Sequence, residues 1–205
     1  NRIPHVSIAP RDHQWGVNTV YEYAISGLRQ SLGHLLNLGH RRIGYVGTQV
    51  RYPEFLLVMA EKEVPVKPED YCLIEQIGPD DNFSHYRDHA REAFDKWFRS
   101  DCGPTSVICA HDYIALGVID VLRDRGLKPG EDLSIIGYEN IEQRGPLSTP
   151  TPILTTVDVP FDVIGQRCAE RLLEQVVNGQ WNIVHEQIPV KLIVRETTCA
   201  CRVGK

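Results

Sequence analysis

The side chains that could do chemistry in this sequence gather in short polar stretches, each directly after an apolar, β-rich run. Thr48, Gln49 and Arg51 follow RIGYVG; Asp80, Asp81 and Asn82 follow the run ending at Ile77; His111 and Asp112 follow SVICA; Tyr138, Glu139 and Asn140 follow LSIIG. Carboxylates, an amide, an imidazole and a guanidinium give a small polar or polyhydroxylated molecule both donors and acceptors. Phe83, Tyr113 and Phe161 add flat apolar faces. The candidate ligand contacts are Arg51, His111, Asp112, Tyr113, Glu139 and Phe161. Two of them carry a second reading: Asp112 directly precedes an apolar stripe beginning at Ile114 and suits a helix cap, and Arg51 suits a surface ion pair. Asp80 and Asp81 read as a solvated turn.

Covalent and metal chemistry find little footing. The sequence contains no GxSxG, GxGxxG or GxxxxGK[ST] string, so a nucleophile elbow and the two phosphate-cradling loops have no candidate. His85 and His89 stand four apart, as zinc ligands can. Tyr86 rather than Glu follows the first, and no third ligand is evident, so a solvated helix face accounts for both. No catalytic residue, metal or cofactor is expected; the remote enzymatic alternative is a hydrolase using Asp112 and Glu139. The six cysteines show no CxxC spacing and several sit in apolar runs, which reads as free thiols in a reducing cytoplasm, with Cys199 and Cys201 on an exposed tail. A formal charge of -5 disfavours the chain itself as a DNA binder, because phosphate contacts need a basic face. No apolar run approaches the roughly 20 residues that span a bilayer.

The elements that must position these residues alternate. An initial strand at residues 4–8 precedes a helical stripe of Ile25, Leu28, Leu32, Leu35 and Leu36 that stops at Gly39. Strands are expected at residues 42–47, 71–77, 106–110, 133–138, 154–157 and 188–194. Between them come helices at 54–63, along Tyr86, Ala90, Phe94, Trp97 and Phe98, along Ile114, Ala115, Val118, Ile119 and Leu122 to Gly126, and from Pro160 to Val177. Residues 140–152, with three prolines, read as a loop. Such alternation implies an α/β fold, a parallel sheet flanked by helices on both faces, and in such sheets ligands bind beyond the carboxyl ends of the strands.

Five strings in order, LGHRRIGYVG (38–47), PTSVICAHDYIALG (104–117), RGLKPGEDLSIIGY (125–138), LTTVDVPFDVIG (154–165) and PVKLIVRETT (189–198), resemble those of the lactose/galactose repressor (LacI/GalR) family of transcriptional regulators, over residues 3–198. The resemblance implies a periplasmic-binding-protein-like core of type I, with residues 20–153 and 180–205 as its second lobe and residues 1–19 and 154–179 as a remnant of the first. It further implies a chain that starts in mid-protein, a helix-turn-helix head upstream, a homodimer in the cytoplasm acting on operator DNA through that head, and no membrane partner. A sugar-like effector between the lobes would control DNA binding allosterically. Arg51 matches the family's effector-reaching arginine, Asp112 its aspartate, and Phe161 an aromatic of the first lobe. His111 stands where an asparagine is usual and Glu139 where an aspartate is, which alters reach and protonation, so the effector is not borrowed from sugar-responsive relatives. A secreted sugar-binding protein of a transporter shares the fold and is the alternative; the unpaired cysteines and the LGHRRIGYVG and LSIIGYEN strings speak for the regulator.

Overall fold

The computed structural model describes residues 3–8, 17–76, 82–99, 102–144, 147–179 and 181–201. In chain order the elements are β1 (Val6–Ile8), β2 (Asn18–Glu22), α1 (Ala24–Asn37), β3 (Ile43–Gly47), α2 (Tyr52–Glu61), β4 (Tyr71–Leu73), α3 (His85–Trp97), β5 (Ser106–Cys109), α4 (Asp112–Asp124), β6 (Ser134–Glu139), β7 (Thr155–Asp158), α5 (Phe161–Val177), β8 (His185–Ile188) and β9 (Lys191–Ile193). They divide into a larger unit, residues 27–158 and 191–205, and a smaller one, residues 1–26 and 159–190.

The larger unit is built on a sheet of order β4-β3-β5-β6-β7-β9. All its pairs are parallel except β7 with β9. One row crosses it as Tyr45, Ile108, Ile136 and Thr155. β3 and β5 are buried along their whole length, which is why their sequences are continuously apolar rather than alternating. The chain moves outward from β3 to β4, then back past β3 to β5 and on to β6. With right-handed crossovers, that reversal puts α2 on one face and α3 with α4 on the other. Ala90 and Phe94 of α3 and Val118, Ile119 and Leu122 of α4 are buried among the core residues. A ladder of ion pairs, Arg87 with Asp120, Arg91 with Asp124 and Arg125 with Asp95, closes the seam between these helices at 2.6–2.7 Å. Gly39 and Gly126 end α1 and α4 with φ of +88° and +70°, a backbone that a Cβ would strain.

The upstream edge of this sheet is pinned by His40 of the LGH string. Its Nδ1 pairs with Thr105 Oγ1 at 2.8 Å and its Nε2 lies 3.1 Å from both Ser134 Oγ and the Cys199 carbonyl. Burial lowers its pKa, so the ring does this work neutral. The terminal cysteines are accordingly not on a loose tail: Cys199 and Cys201 are half-buried, and the Cys201 N–H donates to the Leu38 carbonyl at 2.8 Å. Cys72 and Cys109 are buried free thiols.

In the smaller unit β1, β2 and β8 form a parallel sheet with α5 packed on β1 and β2. Arg167 and Arg171 of α5 both reach Glu186 of β8, at 2.6 and 3.0 Å, and Gln175 exchanges hydrogen bonds with the His5 backbone. Leu173, Val176 and Val177 of α5 are exposed. No helix among the described residues is long and apolar enough to cross a membrane.

Three elements differ from the sequence expectation. β2 was not anticipated, because NTVYE is short and lies against polar neighbours. The expected last strand at 188–194 is reduced to β9 in the larger sheet, while Ile188 ends β8 of the smaller sheet, and Pro189 between them lacks the N–H a continuous ladder would need. β7 lies in the larger sheet rather than with α5, since β6 and β9 supply its backbone partners. The unit boundaries therefore fall after residues 26, 158 and 190 rather than after 19, 153 and 179.

Candidate functional site

Because β3 connects in one direction and β5 in the other, a crevice between them is built into the winding, at the downstream edge where loops diverge. Arg51, on the turn after β3, is the N-cap residue of α2, and its guanidinium carbon stands 4.7 Å from the ring centroid of Tyr138 near the end of β6. Arginine stacked on a tyrosine face keeps its planar fork oriented.

His111 follows β5 as the N-cap residue of α4, with extended backbone and no capping bond from its side chain. Instead the ring turns onto aromatic neighbours: Tyr86 at 4.4 Å, Phe83 and Tyr113 at 6.4 Å, all near perpendicular. It is 8% exposed, and among the described residues neither ring nitrogen has a hydrogen-bond partner. Burial, reinforced by the positive charge of Arg51, pushes its pKa down to about 3, so at neutral pH the imidazole offers one donor and one acceptor.

Asp112 is committed to the fold. Oδ1 accepts the Thr156 hydroxyl at 2.6 Å and Oδ2 the Ile141 N–H at 2.8 Å, tying the start of α4 to β6 and β7. Burial raises its pKa to about 7, against the hydrogen bonds from Thr156 and Ile141 and with a smaller push from Glu139. Neither reading made for it from sequence, cap or ligand contact, describes this bridging role. The carboxylate pair imagined for hydrolysis loses its inward member to these protein donors. Gly137 is what admits Asp112: a Cβ there would lie 2.1 Å from Oδ1.

Glu139 ends β6 with φ +106°. Arg51, His111, Asp112, Tyr113 and Glu139 thus all belong to the same edge of the larger unit, linked through Tyr138 and through the mutual fields of Arg51 on His111 and Glu139 on Asp112. Phe161 belongs to the smaller unit, where it opens α5 and is 54% exposed. Asp80 and Asp81 lie outside the described residues, and among those described no group of three or more metal-ligating side chains gathers. Sequence reasoning passed over Tyr86 as a core position on α3, and gave no role to Thr156, Asp158 and Arg195. Only the pairing of β6, β7 and β9 brings the last three to the site's border, and the one available signal was that Thr156, Asp158 and Arg195 lie inside two of the five strings.

A doubly wound parallel sheet with polar and aromatic side chains at its switch point, joined to a second parallel unit, is the periplasmic-binding-protein-like class of fold. The chain belongs to the family of periplasmic binding protein-like domains, whose profile matches residues 32–198. The resemblance to LacI/GalR regulators is borne out by the relatives. The HTH-type transcriptional repressor PurR of Pasteurella multocida (strain Pm70) is 28% identical over 196 residues, covering 89% of this chain and 55% of that protein. A LacI family transcriptional regulator from Enterococcus faecium with bound ribose superposes with a TM-score of 0.78 at 22% identity, over 97% of this chain and 72% of that one. The transcriptional regulator CelR in complex with cellobiose gives a TM-score of 0.75 at 22% identity, over 95% and 59%. The chain spans about half the length of the curated relatives it matches.

Proposed function

We propose that the downstream edge of the larger unit binds a small polar effector, a sugar or sugar derivative, without transforming it, and that binding controls operator recognition by a helix-turn-helix head outside this chain. The observation that carries this is His111: a neutral imidazole, buried, ringed by Tyr86, Phe83 and Tyr113, with neither nitrogen partnered among the described residues. Buried polar atoms of this kind are rare in folded proteins unless a ligand or water completes them. Arg51 is the charged donor beside it and Glu139 the acceptor, while Asp112 holds the strand ends in place. The ribose and cellobiose in the two structural relatives support a sugar-like ligand, the HTH-type repressor relatives support action on DNA, and the dimeric Lac repressor structures support a homodimer. On this reading the larger unit corresponds to the second lobe of such a core and the smaller to part of the first. Effector and operator affinities would be coupled by about 1–3 kcal/mol, in the range usual for allosteric proteins.

Calorimetry of the full-length protein with D-ribose, cellobiose, D-glucitol and adenine tests the reading. Binding of at least one, weakened about tenfold or more by Arg51→Ala or His111→Ala, is the expected result, since each removes a polar partner of the ligand worth on the order of 1–3 kcal/mol. A folded protein whose DNA head is intact and which binds none of the four would refute the sensing role.

A further inference from the structure

Glu139 and Asn140 are consecutive non-glycine residues with φ of +106° and +61°. Backbone of this kind persists in side-chain-bearing residues only where the surroundings over-determine it, and it concentrates at sites that bind or switch. Here the surroundings act through Asn140, which is 1% exposed. Its Nδ2 donates to Asp158 Oδ1 at 2.7 Å and to Gln143 Oε1 at 3.1 Å, and its Oδ1 accepts from Arg195 Nη2 at 2.7 Å. Its backbone N–H donates to Thr156 Oγ1 at 3.3 Å, the same hydroxyl that donates to Asp112.

What Asn140 grips is the end of a path. Asp158 is the last residue of the larger unit before the chain passes into the smaller one, and it stands opposite Lys191, the first residue to return, in the antiparallel register of β7 and β9. Beside it the Leu192 N–H donates to Gln30 Oε1 at 3.0 Å, on α1, the helix in which the chain enters the larger unit at Gly27. On the larger unit's side, therefore, the segments flanking all three chain passages form one hydrogen-bonded assembly, and Asn140 joins that assembly to the residue next to it, Glu139.

We propose that Asn140 is a positioning residue that transmits ligand engagement at Glu139 to the segments leading out of the larger unit. This rests on the ligand-site reading above. A ligand drawing on the Glu139 carboxylate turns the 139–140 peptide. Because both amide hydrogens and the amide oxygen of Asn140 are already committed, that turn must loosen or tighten its hold on Asp158. Arg144, whose Nη2 already lies 3.3 Å from Asp158 Oδ2, keeps the carboxylate partnered when Asn140 lets go.

Hydrogen exchange by mass spectrometry on the full-length protein, with D-ribose and separately cellobiose as probes, decides the matter. In wild type the bound probe is expected to slow amide exchange in residues 156–161 and 190–193. Asn140→Gly keeps the positive φ and loses the grip; Asn140→Asp keeps the shape and sets a carboxylate against Asp158. Each should retain probe affinity within about threefold while the ligand-dependent slowing in those segments falls about tenfold, a factor inside the range of known coupling strengths. The near-isosteric Asp variant carries the test if the Gly variant does not fold. Wild-type slowing in a variant that binds the probe overturns the proposal and leaves the ligand site standing. Failure of wild type to bind either probe removes the ligand-site reading and this proposal together.

Discussion

Replacing His111 by Asn should make the larger unit gain stability relative to wild type as the medium becomes mildly acidic. In the folded chain the His111 pKa is pushed down from 6.5 to about 3, so the unfolded chain takes up the proton first. The stability this group contributes is complete above pH 6.5 and is lost as pH falls toward 3. Asp112 works the other way: its pKa is raised from 3.8 to about 7, so the folded chain protonates first, and acidification from 7 toward 3.8 stabilises it. Between pH 6.5 and 4.5 the two slopes oppose each other and nearly cancel in wild type. Each is worth about 1.4 kcal/mol per pH unit, so removing the imidazole exposes a gain on the order of 2–3 kcal/mol across that interval. The lost packing against Tyr86 displaces the whole curve and leaves its slope alone. Urea unfolding of wild type and His111→Asn at pH 6.5, 5.5 and 4.5, followed by circular dichroism, measures the difference, in which all other titrating groups drop out. The expected variant curve rises relative to wild type as pH falls. Parallel curves would refute the picture of an imidazole buried in its neutral form.

Gly137→Ala should lower stability by about 3 kcal/mol in a thermal melt, the scale of overpacking in a closed core, because its Cβ would meet Asp112 Oδ1 at 2.1 Å and Leu154 at 2.9 Å. Thr156→Val removes the hydroxyl shared by Asp112 and the Asn140 N–H and should cost about 1–3 kcal/mol, whereas Thr156→Ser, which keeps it, should recover most of the loss; a Ser variant as costly as the Val variant would refute the dominant role of the hydroxyl. In a brief iodoacetamide treatment read by mass spectrometry, exposed Cys102 should label well before Cys72 and Cys109, whose thiols burial pushes up, Cys72 to about 11. Early labelling of Cys109 would mean that β5 is not the interior strand described.

Periodicity and punctuation carried the helices and the central strands. The apolar spacing of α1, α3 and α4 and the glycines that end α1 and α4 are local signals, set by 3.6-residue repetition and by backbone that only glycine adopts cheaply. The doubly wound order put Arg51, His111 and Glu139 at one edge, and that too was legible, because residues after parallel strands share an edge whatever their neighbours are. The roles within that edge were not. Whether Asp112 faces a ligand or the fold depends on Thr156 and Ile141, 44 and 29 residues away, and on the space left by Gly137.

Sequence alone therefore determined the class of fold and the polar edge, which follow from local composition and order, and the family, through the resemblance of five strings. Tertiary structure alone decided that His111 is sealed among aromatic rings, that Asp112 is a strut, that Pro189 separates strands of two different sheets, and that Asn140 grips Asp158. Those outcomes depend on which distant donors and rings arrive at a residue once β6, β7 and β9 are paired, and no spacing along the chain encodes that arrival.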